Sequence, residues 1–202
     1  MKLETLVIGT HNPAKLDYYQ NLLTPLSKKI VGLKDIGIDQ KPTETGDTAE
    51  ENSQIKAKFY SQRTNLPVFC EDESLFVDFL PPSEQPGVNV RRINHNLDAT
   101  DSELFDYWEN VIKNVPGAKR TGYWRIAYTL MLNNKLNTVS FDRQIKFFYP
   151  ASDTKISGWP LNSLQGPAKF NKPFIEMTSD EKNLIQKEEN QLIIKKLISL
   201  FK

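Results

Sequence analysis

From Arg120 to Pro150 the sequence reads "RTGYWRIAYTLMLNNKLNTVSFDRQIKFFYP", apolar and polar side chains alternating with a break at "NNK". A period of two marks strands, and an Asn-rich break between two such runs marks a hairpin. A hairpin is antiparallel, so this chain cannot be built on a purely parallel sheet. Elsewhere strand and helix patterns interleave. "LETLVIG" is a short strand. "THNPAKLDYYQNLL" then shifts to helical spacing, with Leu16, Tyr19, Leu22 and Leu23 on one face, and "KKIVGL" is a second strand. "GDTAEENSQIKAKFYSQRTN" opens a helix with Asp47 or Thr48 as N-cap and Glu50 or Glu51 in its first turn. "DATDSELFDYWENVIKNVPG" is another capped amphipathic helix. The last helix starts at Thr178 or Ser179, with an apolar face of Leu184, Ile185, Leu192, Ile194, Leu197, Ile198 and Phe201. Residues 151–173 read as an ordered loop and a candidate lid. The class is α/β with a mixed sheet, and 202 residues suit one domain or two closely packed lobes.

Composition narrows the function. Lys and Arg number 26 against 25 Asp and Glu, a net charge of +1, which argues against a nucleic acid polymer as partner. Cys70 is the sole cysteine, so no intrachain disulfide forms, and with only His11 and His95 beside it a zinc site is disfavoured. The first apolar run is too short for a signal peptide or membrane span, so the expected setting is soluble and cytoplasmic.

The segment "CEDESLFVDFL" sets Glu71, Asp72 and Glu73 in a row between apolar runs. Adjacent carboxylates resist burial. The sequence reads as two strands, "PVFCED" and "LFVDFL", flanking a sharp acidic turn that is either solvated or held by a metal ion. "VIGTHNPAK" carries a strand into a helix, leaving free N–H groups, with Thr10, Asn12 and Lys15 beside the helix start. Taken alone it is an ordinary N-cap with a surface lysine. Glu44 lies in the turn "PTETGDT", and Lys56 on the helix that follows. Two lysines, a helix N-terminus and paired carboxylates together describe a site for magnesium and a polyphosphate, because magnesium takes few protein oxygens and keeps waters and phosphates.

These segments occur in a familiar order. "VIGTHNPAK", "ETGDTAEENSQIKAK", "LPVFCEDESLFVDFL", "PGVNVRR", "DATDSEL" and "FIEMTSDEKNLI" resemble the inosine/xanthosine triphosphate pyrophosphatase family over essentially the whole chain. The resemblance implies a long curved mixed sheet flanked by helices, two lobes with a cleft between them across residues 1–202, and a homodimer. It implies magnesium-dependent hydrolysis of nucleoside triphosphates to monophosphate and pyrophosphate, a nucleotide-pool sanitation activity on deaminated purines. Carried over residue by residue, Thr10, Asn12, Lys15, Lys56 and Lys182 hold the triphosphate. Glu44 and Asp72 place magnesium, with Glu73 as a further candidate ligand, and Asp72 is the general base.

The departures lie in base recognition. The family's Gly-Phe-Gly-Tyr-Asp-Pro is here "GWPLNS", residues 158–163, which keeps Trp159 to stack on a base but brings Leu161 and Asn162. The family's Ser-His-Arg is Gln186, Lys187 and Glu188. A pocket built to bond one group discriminates by about 10⁴; losing His and Arg removes most preference for a 6-keto purine unless Lys187 substitutes, and Glu188 favours an amino group. Glu73 replaces a small hydroxyl residue, and a like-charge contact at about 4 Å costs on the order of 4 kcal/mol. It must point away, bind cation or weaken binding. The reading is a pyrophosphatase of altered or relaxed base preference; the alternative is a catalytically silent nucleotide-binding homologue acting as a sensor or partner subunit. Among other residues, His95 reads as a loop histidine and Arg91 and Arg92 as candidates to reach phosphates. Tyr123, Trp124, Tyr128 and Phe147 read as core or dimer interface, and Cys70 as a buried small hydrophobe.

Overall fold

The computed structural model describes residues 2–93 and 98–199, so His95 and Phe201 lie outside the described residues. In chain order the elements are β1 (Leu3–Ile8), α1 (Pro13–Leu22), β2 (Ser27–Gly32), α2 (Ala49–Ser61), β3 (Val68–Val77) and α3 (Asp101–Lys113). Then come β4 (Thr121–Leu132), β5 (Lys135–Phe147), β6 (Gln165–Gly166) and α4 (Ser179–Ser199). The six strands form one sheet in the order β2-β1-β3-β4-β5-β6. β1 runs parallel to β2 and β3, whereas β6 is antiparallel to β5, so the sheet is mixed as the hairpin requires. Asn133 and Asn134, both at positive φ, make the two-residue connection between β4 and β5, a conformation Asn tolerates better than most residues.

The chain divides into two compact units. The first comprises Met1–Glu73, Ile126–Phe141 and Lys187–Lys202. Here β3 sorts its side chains by alternation. Val68 and Cys70 join Val7, Val31, Leu33, Ile38 and the α2 residues Ala57 and Tyr60 in one apolar cluster. Phe69, on the other face, meets Tyr19 of α1 at 5.3 Å and Tyr128 of β4 at 5.4 Å between ring centres. On the α2 face, buried Ser53 bonds Thr129 (2.7 Å), which bonds Thr138 (2.9 Å). So α1 and α2 cover opposite faces of β3.

The second unit comprises Ser74–Arg125 and Asp142–Gln186. Trp108 of α3 stacks on Phe147, and Trp124 donates its indole N–H to Gln165 at 2.8 Å. Trp124, Tyr128 and Phe147 are therefore core. Arg91 is held by Asp101 (2.8 Å) and the carbonyl of Ala99 (2.8 Å), a brace at the start of α3. Within residues 151–173, Pro160–Ser163 and Ala168–Phe170 form short 3₁₀ turns on either side of β6, and 151–159 carry no helix or strand.

Two sequence expectations need correction. The acidic run is not a turn: β3 passes without a break from Val68 to Val77, through Glu71, Asp72 and Glu73. The charges are tolerated because β1 ends at Ile8, opposite Phe69. β3 beyond that point extends past β1, and two lysines lie against it. In α4 the buried stripe is Ile185, Ile193 and Leu197, with Leu184, Leu192 and Ile198 exposed. The neighbouring apolar residues in "NLIQ" and "QLIIKK" fit more than one helical register, and packing selects the spacing of four and eight. The structure resolves the caps that the sequence left open: Thr48, Thr100 and Thr178 each accept from the N–H of a Glu three residues on, and that Glu accepts from the Thr N–H in return.

Candidate active site

β1 gives way at Gly9 to the turn that starts α1. Asn12 caps the helix, its Oδ1 accepting from the N–H groups of Ala14 (2.9 Å) and Lys15 (3.3 Å), while Thr10 Oγ1 accepts from the Asn12 N–H. Thr10 and Asn12 thus build the helix start as ordinary caps do. The turn presses on β3 closely. A Cβ at Gly9 would lie 2.4 Å from Cys70 Sγ and 2.8 Å from Tyr60 Cδ2. Both neighbours are buried, so Gly9→Ala is expected to cost about 1–3 kcal/mol. Thermal melting checks this; an unchanged midpoint would show that the turn has slack.

Alternation divides the acidic run between two lysines. Glu71 and Glu73 share a face with Phe69 and α1, and Lys15 Nζ donates to Glu71 Oε1 and Oε2 and to Glu73 Oε1, each at 3.1 Å. Asp72 faces α2, where Lys56 Nζ lies 2.5 Å from its Oδ1 and 3.7 Å from Glu44 Oε2. The Glu71 side chain is only 4% exposed, whereas Glu44, on its turn, is 41% exposed. Four carboxylates thus lie near two ammonium groups, Glu71 and Glu73 on one face of β3 and Asp72 with Glu44 on the other.

Burial dominates the acidities. Burial pushes the Glu71 carboxyl up from 4.5 to about 7, with Lys15 opposing and Glu73 adding to the rise. Burial also raises Asp72, against the pull of Lys56. For Lys15, burial disfavours the charge, but Glu71, Glu73 and Asp72 outweigh it and raise the pKa; for Lys56, Asp72 and Glu44 do the same. Burial lifts the Cys70 thiol far above neutrality, so it is an inert filler.

The expected magnesium ligands come together in part. Glu44 and Asp72 converge on one ammonium group, a pair of oxygen donors of the type magnesium takes. Glu73 lies across the strand with Glu71 and Lys15, not with them. Among the described residues no three Asp, Glu, His or Cys side chains form a ready-made metal cage. The donors fit a cation that draws its other ligands from water and phosphate. Glu71 is the member that the acidic-turn reading missed; alternation with Phe69 would have placed it. Of the other expected residues, Trp159, Asn162 and Lys182 belong to the second unit, and Lys187 and Glu188 lie exposed on α4 in the first.

A model of the Ham1 family matches residues 6–192. The chain belongs to the Ham1 family. Relatives of this Ham1 chain include a dITP/XTP pyrophosphatase of Thermoanaerobacter sp. (strain X514), 27% identical over 202 residues that cover 93% of this chain and 92% of the relative. A dITP/XTP pyrophosphatase of Bacillus subtilis (strain 168) is 27% identical, covering 98% and 97%. The structure of a HAM1 protein from Coxiella burnetii shares the Ham1 fold with a TM-score of 0.74 at 20% identity, covering 96% of this chain and 100% of that one. The resemblance read from the motifs is thereby upheld. No helix among the described residues is long and apolar enough to cross a membrane.

Proposed function

We propose that this Ham1 chain is a magnesium-dependent nucleoside triphosphate pyrophosphatase of relaxed base preference, working as a cytoplasmic homodimer in nucleotide-pool sanitation. The observation that carries the reading is the split of the acidic run about β3: a buried Glu71–Glu73–Lys15 group on one face, and Asp72 with Glu44 and Lys56 on the other. Glu44 and Asp72 offer the kind of oxygen donors magnesium takes. The names of the relatives supply the substrate class.

In the proposed reaction Asp72 takes a proton from water, whose oxygen bonds to the α-phosphorus as the α–β phosphoanhydride bond breaks and pyrophosphate leaves. In the metal-free protein burial holds the Asp72 carboxyl above its usual pKa, against the pull of Lys56. Glu44 and Asp72 would hold the magnesium, which would neutralise charge on the triphosphate. Lys56 would turn from Asp72 to the phosphate oxygens, and the family motifs assign phosphate contacts also to Thr10, Asn12, Lys15 and Lys182. The same motifs assign the base to Trp159, Asn162, Lys187 and Glu188.

Pyrophosphate release from a panel of nucleoside and deoxynucleoside triphosphates tests the reading. Turnover with magnesium is expected, with base discrimination below about 10²-fold because the family's His and Arg are replaced. Without a divalent cation, triphosphate binding is expected to weaken at least ~10-fold, since phosphates would then face uncompensated carboxylates; calorimetry with EDTA reads this. Saturable binding with no product from any nucleotide would favour the silent homologue, and neither binding nor product would end both readings.

A further inference from the structure

A pocket of about 310 Å³ opens in the second unit, lined by Arg120, Lys146, Lys172, Phe148, Tyr149 and Glu176 among others. None of these belongs to the proposed reaction. The cations are unevenly paired. Lys172 is neutralised by Glu181 at 2.8 Å. Arg120 and Lys146 meet no carboxylate among the described residues. Arg120 Nε donates to the Val115 carbonyl (2.7 Å) and one terminal nitrogen to the Tyr149 carbonyl (3.5 Å), so two of a guanidinium's five N–H donors are spent on backbone. Lys146 Nζ donates to Asn171 Oδ1 at 2.7 Å, with the Phe148 ring 5.7 Å away. Both side chains are half-buried. Two cations on one pocket lining cost electrostatic energy that an anion would recover. With Glu176 on the lining and Glu181 behind Lys172, the pocket keeps a surplus of one positive charge.

We infer that the pocket formed by Arg120, Lys146 and Tyr149 is a second anion site that takes the phosphate group of a small molecule. The planar guanidinium presents paired donors and the ammonium a point charge, a combination suited to a tetrahedral oxyanion. The volume is at the lower end of small-ligand sites, enough for a phosphate and part of what it is attached to. The Tyr149 ring, with the Arg120 guanidinium 5.7 Å from its centre and 38% of its surface exposed, offers a planar group a face.

The test is a titration of the ¹⁵N-labelled full chain in EDTA with sodium phosphate, with pyrophosphate and with adenosine monophosphate, against sodium chloride at matched ionic strength. Saturating shifts are expected at the amides of Arg120, Phe148, Tyr149 and Lys172, with a Kd near ~1 mM. Lys146→Gln, which keeps a donor for Asn171, is expected to weaken binding about 10-fold. Arg120→Gln serves as the second variant, its own spectrum reporting whether the backbone brace survives. Asp72→Asn is expected to leave these shifts unchanged, which separates the pocket from the proposed active site. Tighter binding of the monophosphate than of free phosphate assigns the site to a phosphorylated ring compound, and equal binding assigns it to free phosphate. Shifts matched by chloride, no saturation with any of the three, or affinity unchanged in both variants would overturn the inference.

Discussion

Asp72→Asn is expected to lower pyrophosphate release by about 10³-fold or more while the protein melts no lower than the wild type. General-base removal alone accounts for about 10²–10⁴, and loss of a cation ligand adds to it. The stability half follows from the same geometry. The folded state raises the pKa of Asp72, so it disfavours the charged carboxylate relative to the unfolded chain. Asn resembles the protonated side chain, keeps an oxygen to accept from Lys56, and leaves that ammonium group within 3.7 Å of Glu44. A variant that is inactive but folded separates chemistry from folding, which a truncation to Ala would not. The measurements are initial rates of pyrophosphate release at saturating magnesium and a thermal melt in EDTA. Activity within tenfold of wild type would remove Asp72 from the role of base. A lower melting temperature would show that its ion pair with Lys56 stabilises the fold more than the crowding of carboxylates destabilises it.

Much of this arrangement was legible in the sequence, and the part that was not has a physical cause. The hairpin, the three Thr–Glu capping boxes and the strand–turn–helix around Gly9 are local, each set by neighbours within a few residues. The acidic run reads as a turn because adjacent charges are costly inside a sheet that is covered on both faces. What lifts that cost is tertiary. β1 stops opposite Phe69, and Lys15 and Lys56 approach β3 from opposite faces. No window around residues 71–73 contains either fact. The face of α4 was lost differently. Leu184 stands beside Ile185, and Leu192 beside Ile193 and Ile194, so several registers bury similar area, and only the neighbours against which α4 packs decide among them. Assignment of Trp159, Asn162, Lys187 and Glu188 to base recognition rests on alignment with the family motifs, not on a geometry that local pattern can supply.

The buried Glu71 gives the second large effect, in stability as a function of pH. Its carboxyl stands at about 7 in the folded protein against 4.5 ordinarily, with burial the leading cause. The native state therefore holds this proton where the unfolded chain has released it, and stability must fall as pH rises between those values. The contribution is fully present below about pH 4.5 and lost above about pH 7. Metal-free wild type is accordingly expected to lose stability from pH 5 to pH 8. Glu71→Gln cannot ionise and can still accept from Lys15 through its amide oxygen. It is expected to show a flatter profile and to exceed wild type at pH 8 by on the order of 2–3 kcal/mol. For a chain of this size that corresponds to roughly 5 °C or more in Tm. Denaturant titrations of both proteins in EDTA across that range provide the comparison. Parallel profiles would show that Lys15 fully compensates the Glu71 charge. Added magnesium is expected to narrow the gap at pH 8, because neutralising Asp72 relieves its repulsion of the Glu71 carboxylate. Carboxylates assembled to receive a cation weaken the fold until it arrives, and the amount by which they do so is what the Glu71→Gln profile measures.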